Sequence, residues 1–192
     1  MASVFTGPQT ILVTCMDYRI DPRLHHNISA NPYVLRNAGG SAVEALRSIV
    51  VAQWAIEARD IILYKHTKCG MAGEHTTQSF RDYIIDKSDN DPEVLRESLE
   101  RIGSFLFIKD PDLVTALKSD AKHLRDSKLL KEGTKITGYI HCIDSKENNS
   151  VDLEYWRKMQ NATLTDEPQS EGDMGEELGE LLVFDLSSDS EE

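Results

Sequence analysis

The 192-residue chain lacks several features that would place it in a special class of proteins. No apolar run approaches the ~20 residues needed to cross a membrane, and the first residues lack the basic start and apolar core of a signal peptide. Three cysteines are too few for a disulfide framework. Basic patches with interleaved aromatic residues are also missing, which argues against nucleic acid as a partner. We therefore expect a cytoplasmic protein without disulfides, membrane spans or nucleic-acid contacts.

Negative charge is concentrated at one end of a chain whose formal net charge is −12. Residues 165–192 contain eleven Asp and Glu and no Lys or Arg, which leaves 22 of the 33 acids against all 21 bases in residues 1–164. We predict one domain over 1–164 and an acidic, disordered tail over 165–192, because the tail has little apolar surface to bury. The apolar residues within 178–186 leave several alternatives open: a solvated segment, a docking segment for a partner subunit, an added strand, or a phosphorylatable motif.

Apolar patterns predict alternating strands and helices. Short runs rich in Ile, Leu, Val and Thr predict strands at residues 9–14, 33–36, 60–65 and 135–143. Apolar residues at helical spacing predict helices at residues 41–58, 74–87, 93–107 and 113–124. Residues 151–155 are expected to pair as an antiparallel ribbon. The alternation predicts an α/β fold with a mostly parallel β-sheet flanked by helices.

Metal-binding side chains follow two of the predicted strands. Cys15 follows the first strand, and His66 and Cys69 follow the third. In open α/β sheets ligands collect outside the carboxyl ends of the strands, where the strand order reverses. Two thiols and one imidazole suit zinc, and three protein ligands leave a fourth position for water. The sequence therefore predicts a catalytic zinc site.

A charged pair leaves the same strand end as Cys15. Asp17 and Arg19 are separated by one residue, and a carboxylate held by a guanidinium stays ionised. Such a carboxylate can accept a hydrogen bond from the reacting water and orient its lone pair. This help is needed because two thiolates cancel the charge of zinc, so water is acidified less than at an all-imidazole site.

Three further motifs leave alternatives open. His25 and His26 are either a proton relay or an exposed pair. Residues 36–40 either present backbone donors to an anion or form a tight turn between strand and helix. His141 and Cys142 are adjacent in a predicted strand and should face opposite sides, one towards the core and one towards the surface.

Three motifs resemble those of the β-carbonic anhydrases in residues, order and separation. They are CMDYR at 15–19, RNAGG at 36–40 and HTKCGM at 66–71. Two further stretches, RESLERI at 96–102 and TGY at 137–139, resemble the short class D subgroup, which includes carbonyl sulfide hydrolases. The resemblance covers roughly residues 9–145 and leaves out the acidic tail.

The resemblance implies one zinc ion per chain, bound by Cys15, His66 and Cys69, with Asp17 and Arg19 as the orienting dyad. It implies reversible hydration of carbon dioxide to bicarbonate, or hydrolysis of carbonyl sulfide on the same site. Some members rest with the aspartate on zinc, and both resting states stay open here. It also implies a homodimer or higher even oligomer, for which the helix predicted at 41–58 offers an apolar face.

Two residues depart from the family pattern beside the predicted ligands. Tyr18 stands where a small residue is usual, and Lys68 stands where class D often has Asp. Both bear on substrate choice and on the acidity of the reacting water. A third hypothesis, suggested by the acidic tail, is a non-catalytic interaction protein built on the same fold.

Overall fold

A computed structural model describes residues 10–20, 32–108, 113–143 and 181–185. Its centre is a five-stranded sheet in the order β2-β1-β3-β4-β5. The strands are β1 (Thr10–Cys15), β2 (Tyr33–Asn37), β3 (Asp60–His66), β4 (Ile136–His141) and β5 (Leu181–Asp185). β1 to β4 are parallel, and β5 pairs antiparallel with β4. The α/β fold with a mostly parallel sheet is confirmed.

The strand order creates a crevice between β1 and β3. The chain passes from β1 outward to β2 and then returns across β1 to add β3 on the other side. Connections that leave two neighbouring strands in opposite directions open a gap at their carboxyl ends, where α/β proteins bind ligands. Cys15 is the last residue of β1 and His66 is the last residue of β3. The topology therefore places the two predicted ligands on neighbouring strand ends.

The described residues contain four α-helices: α1 (Ala42–Ala55), α2 (Thr77–Lys87), α3 (Pro92–Ile102) and α4 (Leu113–Asp126). A short 3-10 turn, Ala38–Gly40, leads into α1. α3 begins with the Pro92 ring at its first turn, where no backbone N–H is needed, and Asp91 caps it. It ends earlier than the predicted 93–107 because Gly103, at φ 86°, leaves the helical conformation.

Two helices cover one face of the sheet. α1 and α4 pack on a cluster that includes Val13, Ile49, Leu63 and Leu117. Each such side chain contributes about 1.5–3 kcal/mol by leaving water, so this cluster is the main apolar core. The opposite face carries a smaller group of buried residues: Leu12, Ile20, Ile62, Tyr64 and Tyr139.

His141 and Cys142 lie on opposite faces, as the alternation predicts, but the expectation of one surface residue is wrong. Cys142 belongs to the main core. His141 is also buried, because its ring stacks on Tyr64 with centroids 6.0 Å apart. Burial on both sides is typical of an inner strand in a parallel sheet.

β5 lies within residues 165–192, for which the sequence predicts disorder, and its five residues form a strand instead. Its backbone pairs with β4 from Asp185 opposite Thr137 to Leu181 opposite His141. The added-strand alternative therefore describes these five residues. The ribbon predicted at 151–155, the pair His25 and His26, and the rest of the tail lie outside the described residues. Within the described part of the chain, no helix is long and apolar enough to span a membrane.

Candidate metal centre

Cys15, His66 and Cys69 come together at the ends of β1 and β3. The two thiol sulfurs are 3.8 Å apart, and all three possible ligand atoms lie within 4.8 Å of one another. All three residues are buried. A turn at residues 67–68, directly after β3, brings Cys69 back to the group, and a second turn follows in which the Ala72 N–H donates to the Cys69 carbonyl (3.0 Å). The structure thus assembles the three residues that the sequence singles out.

The His66 ring is oriented for metal binding. Its Nδ1 lies 2.8 Å from the carbonyl oxygen of Thr67. A carbonyl can only accept, so Nδ1 carries the hydrogen and Nε2 of the neutral ring keeps its lone pair. Nε2 is buried and has no hydrogen-bond partner among the described residues. A buried lone pair facing two thiols fits a soft or borderline cation such as zinc.

The two thiols share their protons unequally. The hydrogen bond from the Cys69 thiol lowers the pKa of Cys15 to about 4, against burial, which raises it; the backbone groups of Asp17 and Gly39 lower it further. The same bond raises the pKa of Cys69, and burial adds to the rise. The metal-free pair therefore titrates as a unit: one proton leaves at lower pH than from an ordinary thiol, which favours one thiolate at neutral pH, and the other proton is held more tightly. A thiolate is the form that binds metal.

Asp17 lies beside the metal group and is held by Arg19. The backbone N and Nε of Arg19 donate to Oδ1, and Nη2 donates to Oδ2. These bonds hold the pKa of Asp17 well below its usual range and raise that of Arg19. Arg19 also donates to the carbonyl of Lys68 at 2.9 Å, which joins the dyad to the turn that carries Cys69. The carboxylate is thus ionised and fixed in place.

Arg36 supports this loop, a role that the sequence interpretation missed. Its guanidinium donates to the carbonyls of Cys15 (3.1 Å), Asp17 (3.0 Å) and Ile20 (2.6 Å). Three carbonyls bound by one side chain fix the path of the chain from the first thiol through the dyad. The RNAGG motif, of which Arg36 is the first residue, could have indicated this role, but the expectation from sequence for that motif concerns only its backbone.

The RNAGG segment at residues 36–40 forms a tight turn between β2 and α1. This is the second of the two alternatives that the sequence leaves open for it. Gly39 and Gly40 have φ of 70° and 60°, a region that residues with a Cβ rarely adopt. A Cβ on Gly40 would lie 2.9 Å from the backbone N of Cys15. The first free N–H of α1, that of Ala42, donates to Asp120 Oδ2 at 3.2 Å. This helix terminus is therefore paired with a carboxylate of the chain itself.

A buried ion pair lies under this turn. Lys65 Nζ and Asp120 Oδ2 are 2.7 Å apart. Neither residue was predicted, although each breaks an apolar pattern: Lys65 ends the strand run IILYK, and Asp120 lies on the buried face of α4. The pair borders a cavity of about 490 Å³ whose walls include Phe105 and Phe107. The three metal-group residues do not line that cavity.

Tyr18 and Lys68, the two residues that depart from the family motifs, differ in how they relate to the metal group. The Tyr18 side chain is 92% exposed, so within one chain it is directed to solvent rather than to the metal group. Lys68 has φ 55°, which turns the chain from His66 towards Cys69 and directs its carbonyl to Arg19. Lys68 therefore acts at the site through its backbone.

The chain is similar to known enzymes of two kinds, carbonic anhydrases and carbon disulfide hydrolases. No protein-family model matches the chain. β-Carbonic anhydrase 1 of Mycobacterium tuberculosis is 27% identical over 159 residues, which cover 78% of this chain and 90% of that protein. Carbon disulfide hydrolase of Acidianus sp. is 28% identical over 178 residues, covering 81% of this chain and 85% of that protein.

A solved carbonic anhydrase from Glaciozyma antarctica superposes with a TM-score of 0.58 and 28% identity, covering 73% of this chain and 80% of that one. The chain is related to the β-carbonic anhydrases. The resemblance seen in the motifs at 15–19, 36–40 and 66–71 is thereby confirmed. Both carbonic anhydrases and a carbon disulfide hydrolase are among the similar proteins, so the similarity by itself leaves the substrate open.

Proposed function

We propose that the protein is a zinc enzyme that adds hydroxide to a small linear substrate, with reversible hydration of carbon dioxide to bicarbonate as its reaction. The observation that carries the proposal is the buried group Cys15, His66 and Cys69 with an ionised carboxylate beside it. A structural metal site would have four protein ligands and no need for such a carboxylate. The relationship to the β-carbonic anhydrases supports the same reaction class.

Zinc would be held by the Cys15 and Cys69 sulfurs and by His66 Nε2. The metal would supply Lewis acidity that lets water act as a nucleophile near neutral pH. Thr67 supports this assignment, because its carbonyl fixes the ring tautomer in which Nε2 is the free lone pair. Burial of all three residues excludes bulk water from the group.

Asp17 would orient the attacking oxygen. An ionised carboxylate can only accept hydrogen bonds. The attacking oxygen therefore donates a hydrogen bond to Asp17 and directs a lone pair to the substrate carbon. A C–O bond forms, one C=O π bond opens to an oxyanion, and the proton of the water passes to solvent. Arg19 keeps Asp17 ionised and fixed, so the acceptor is in place before substrate arrives.

Carbonyl sulfide is the second candidate substrate. The carbon disulfide hydrolase of Acidianus sp. is as similar to this chain as the carbonic anhydrases are, and it acts on a sulfur-containing linear molecule. Attack of the same oxygen on carbonyl sulfide forms a C–O bond and opens one π bond of the substrate. The C–S bond then breaks, the leaving sulfur takes up two protons that balance those lost by the attacking water, and the products are hydrogen sulfide and carbon dioxide. The site residues would keep the same roles, because both substrates present an electrophilic carbon in a linear molecule.

Stopped-flow kinetics with the zinc-loaded, full-length protein tests the proposal. We expect hydration of carbon dioxide well above the buffer rate, and a specificity constant for carbon dioxide larger than that for carbonyl sulfide. A larger constant for carbonyl sulfide would reverse the order of the two substrates. Zinc-loaded protein that is inactive on both would contradict the enzymatic proposal and favour a non-catalytic interaction protein.

A further inference from the structure

Lys65 and Asp120 form a buried ion pair that the proposed reaction does not use. Their side chains are 3% and 12% exposed. Burying two charges is costly, and replacing such a pair by well-packed apolar residues is often neutral for stability. The pair is therefore poorly explained by stability alone. The backbone groups that the two side chains bind indicate another role.

The Lys65 ammonium binds the turn before α1. It donates to the carbonyls of Gly39 (3.0 Å) and Gly40 (2.9 Å) as well as to Asp120. An ammonium has three donors, so all of them are used. Asp120 Oδ2 in turn accepts the N–H of Ala42, so Lys65 binds the turn and Asp120 binds the first residue of the helix that follows it.

This turn touches the end of β1 that carries Cys15. The backbone of Gly40 approaches so closely that an added Cβ would lie 2.9 Å from the Cys15 nitrogen and from the Thr14 carbonyl carbon. The strand before the turn also accepts the Met16 N–H, through the Asn37 carbonyl at 2.9 Å. A displacement of the turn would therefore be transmitted directly to Cys15.

Lys65 is also bonded covalently to His66. Successive side chains of β3 point to opposite faces of the sheet, so Lys65 reaches the turn while the His66 ring points away from it. One side chain thus links the strand end that carries His66 to the turn that abuts Cys15. Asp120, on α4, anchors that link to the core.

We infer that Lys65 and Asp120 are positioning residues that set the distance between the Cys15 thiol and the His66 ring. The inference rests on the proposed function, because that distance matters for a metal held by both residues. Supporting residues outside the ligand set typically change metal affinity 10–100-fold when they are removed. We expect a loss in that range when the pair is lost, including when stability has been restored by apolar packing.

Two variants and a matched control test this. Asp120→Asn removes one charge at nearly constant shape, and Lys65→Met with Asp120→Leu replaces the pair by apolar side chains. Gln53→Leu is the control: Gln53 is a fully buried polar residue near the other end of α1, bound to Arg59 and Thr134. Zinc affinity is measured by chelator competition, ligand geometry by the absorption spectrum of the cobalt-substituted protein, and stability by thermal unfolding of the metal-free protein.

We expect the double variant to unfold near the wild-type temperature, to bind zinc at least 10-fold more weakly, and to show a shifted cobalt spectrum. Wild-type affinity and spectrum in the double variant would overturn the inference. If the double variant does not fold, Asp120→Asn is compared with Gln53→Leu. Equal losses of zinc affinity in those two would also overturn it, because a general loss of stability would then explain the effect.

The wild-type protein separates this inference from the proposed function. Wild-type protein that binds zinc but is inactive contradicts the function and leaves the affinity comparison valid. Wild-type protein that binds no zinc contradicts the metal site itself. The positioning role is then measured by NMR of the metal-free protein: Asp120→Asn should shift the backbone amide signals of Cys15 and Gly40, and Gln53→Leu should not. Unchanged signals in Asp120→Asn would contradict it.

Discussion

Arg19 holds Asp17 through both carboxylate oxygens, with its backbone N and Nε at 2.9 and 3.0 Å from Oδ1 and its Nη2 at 2.6 Å from Oδ2. Oδ2 is also 4.0 Å from His66 Nε2. The carboxylate is thus fixed in a single orientation beside the metal group. Such an acceptor is prepared for a hydrogen bond from a reacting oxygen at the centre of the group.

Asp17→Asn should keep zinc bound and lose activity. The amide can replace the carboxylate sterically, but it carries no charge and presents an N–H donor where an acceptor is needed. We expect turnover to fall by about 10²-fold or more, the usual range for a positioned acid–base group. Turnover is measured by stopped flow, and zinc content by metal analysis. Asp126→Asn, at an exposed pair with Lys122, is the matched control; unchanged turnover in Asp17→Asn would remove Asp17 from the mechanism.

Gly40→Ala should disturb the site, whereas Gly133→Ala should only cost stability. Both glycines have positive φ, of 60° and 75°, so each alanine is strained by about 1–2 kcal/mol. The Cβ at 133 meets nothing within 4 Å, but the Cβ at 40 meets the Cys15 backbone. We expect weaker zinc binding and a larger drop in unfolding free energy in Gly40→Ala. Equal effects of the two substitutions would contradict the close contact.

Much of the site could be predicted because its residues lie at strand ends. The apolar runs located β1 and β3, and the rule for open sheets brought Cys15, His66 and Cys69 together before any coordinates. What could not be predicted depends on contacts distant in sequence. Lys65 and Asp120 are 55 residues apart, and only the packing of α4 against β3 shows that they meet.

The tail shows a second limit of prediction from sequence. Composition correctly describes residues 165–192 as acidic, but composition averages over a short apolar segment. Five residues of that segment, Leu181–Asp185, find a partner in β4. Strand formation of this kind depends on an available sheet edge, which no local pattern reveals.

Arg36→Lys should lower activity and stability although the charge is kept. A lysine ammonium cannot replace the planar fork that reaches the carbonyls of Cys15, Asp17 and Ile20. Leaving partly buried carbonyls unpaired costs about 1–3 kcal/mol. We expect a loss of that size in urea unfolding and about a 10-fold fall in turnover through the loosened dyad. Arg101→Lys, on the exposed face of α3, should change neither. Wild-type turnover in Arg36→Lys would show that this support is not required.

Zinc binding at pH 7 should release about one proton from the cysteine pair rather than two. Cys15 is already a thiolate, because its pKa is lowered to about 4, and only Cys69, whose pKa is raised, still carries its proton. Calorimetry in buffers of different ionisation enthalpy measures the number. The measurement is repeated at pH 6, where water bound to zinc largely keeps its protons; release of two protons there would contradict a lowered pKa of Cys15.

The unfolding free energy of the metal-free protein should depend on pH because folding lowers the pKa of Cys15. A lowered pKa in the folded state stabilises the fold above the pKa of the unfolded thiol, and this contribution is lost as pH falls towards about 4. The unfolding free energy should therefore rise between pH 5 and pH 8 more steeply in the wild type than in Cys15→Ser. Urea unfolding across this range gives both slopes. Parallel slopes would show that the pKa of Cys15 is not lowered by folding.

A further prediction concerns self-association. Val43, Val51 and Trp54 are exposed on α1 at 42%, 52% and 62%, and their spacing places them along one side of the helix. We propose that this side pairs with a second copy, giving a dimer or a higher even oligomer. Light scattering at micromolar concentration should show it, and Val51→Glu should shift it to a smaller species. A wild-type monomer under these conditions would contradict the proposal.

β5 also bears on how the protein avoids aggregation. An unpaired strand edge is a template for the strands of other molecules, and β4 would present one without β5. The segment that covers β4 is short and is flanked in sequence by acidic residues, among them Glu177, Glu180 and Asp189. β5 thus occupies the edge of β4 on which a strand of another molecule could otherwise pair, and the charges next to β5 in sequence are of the kind that disfavours aggregation of an apolar segment.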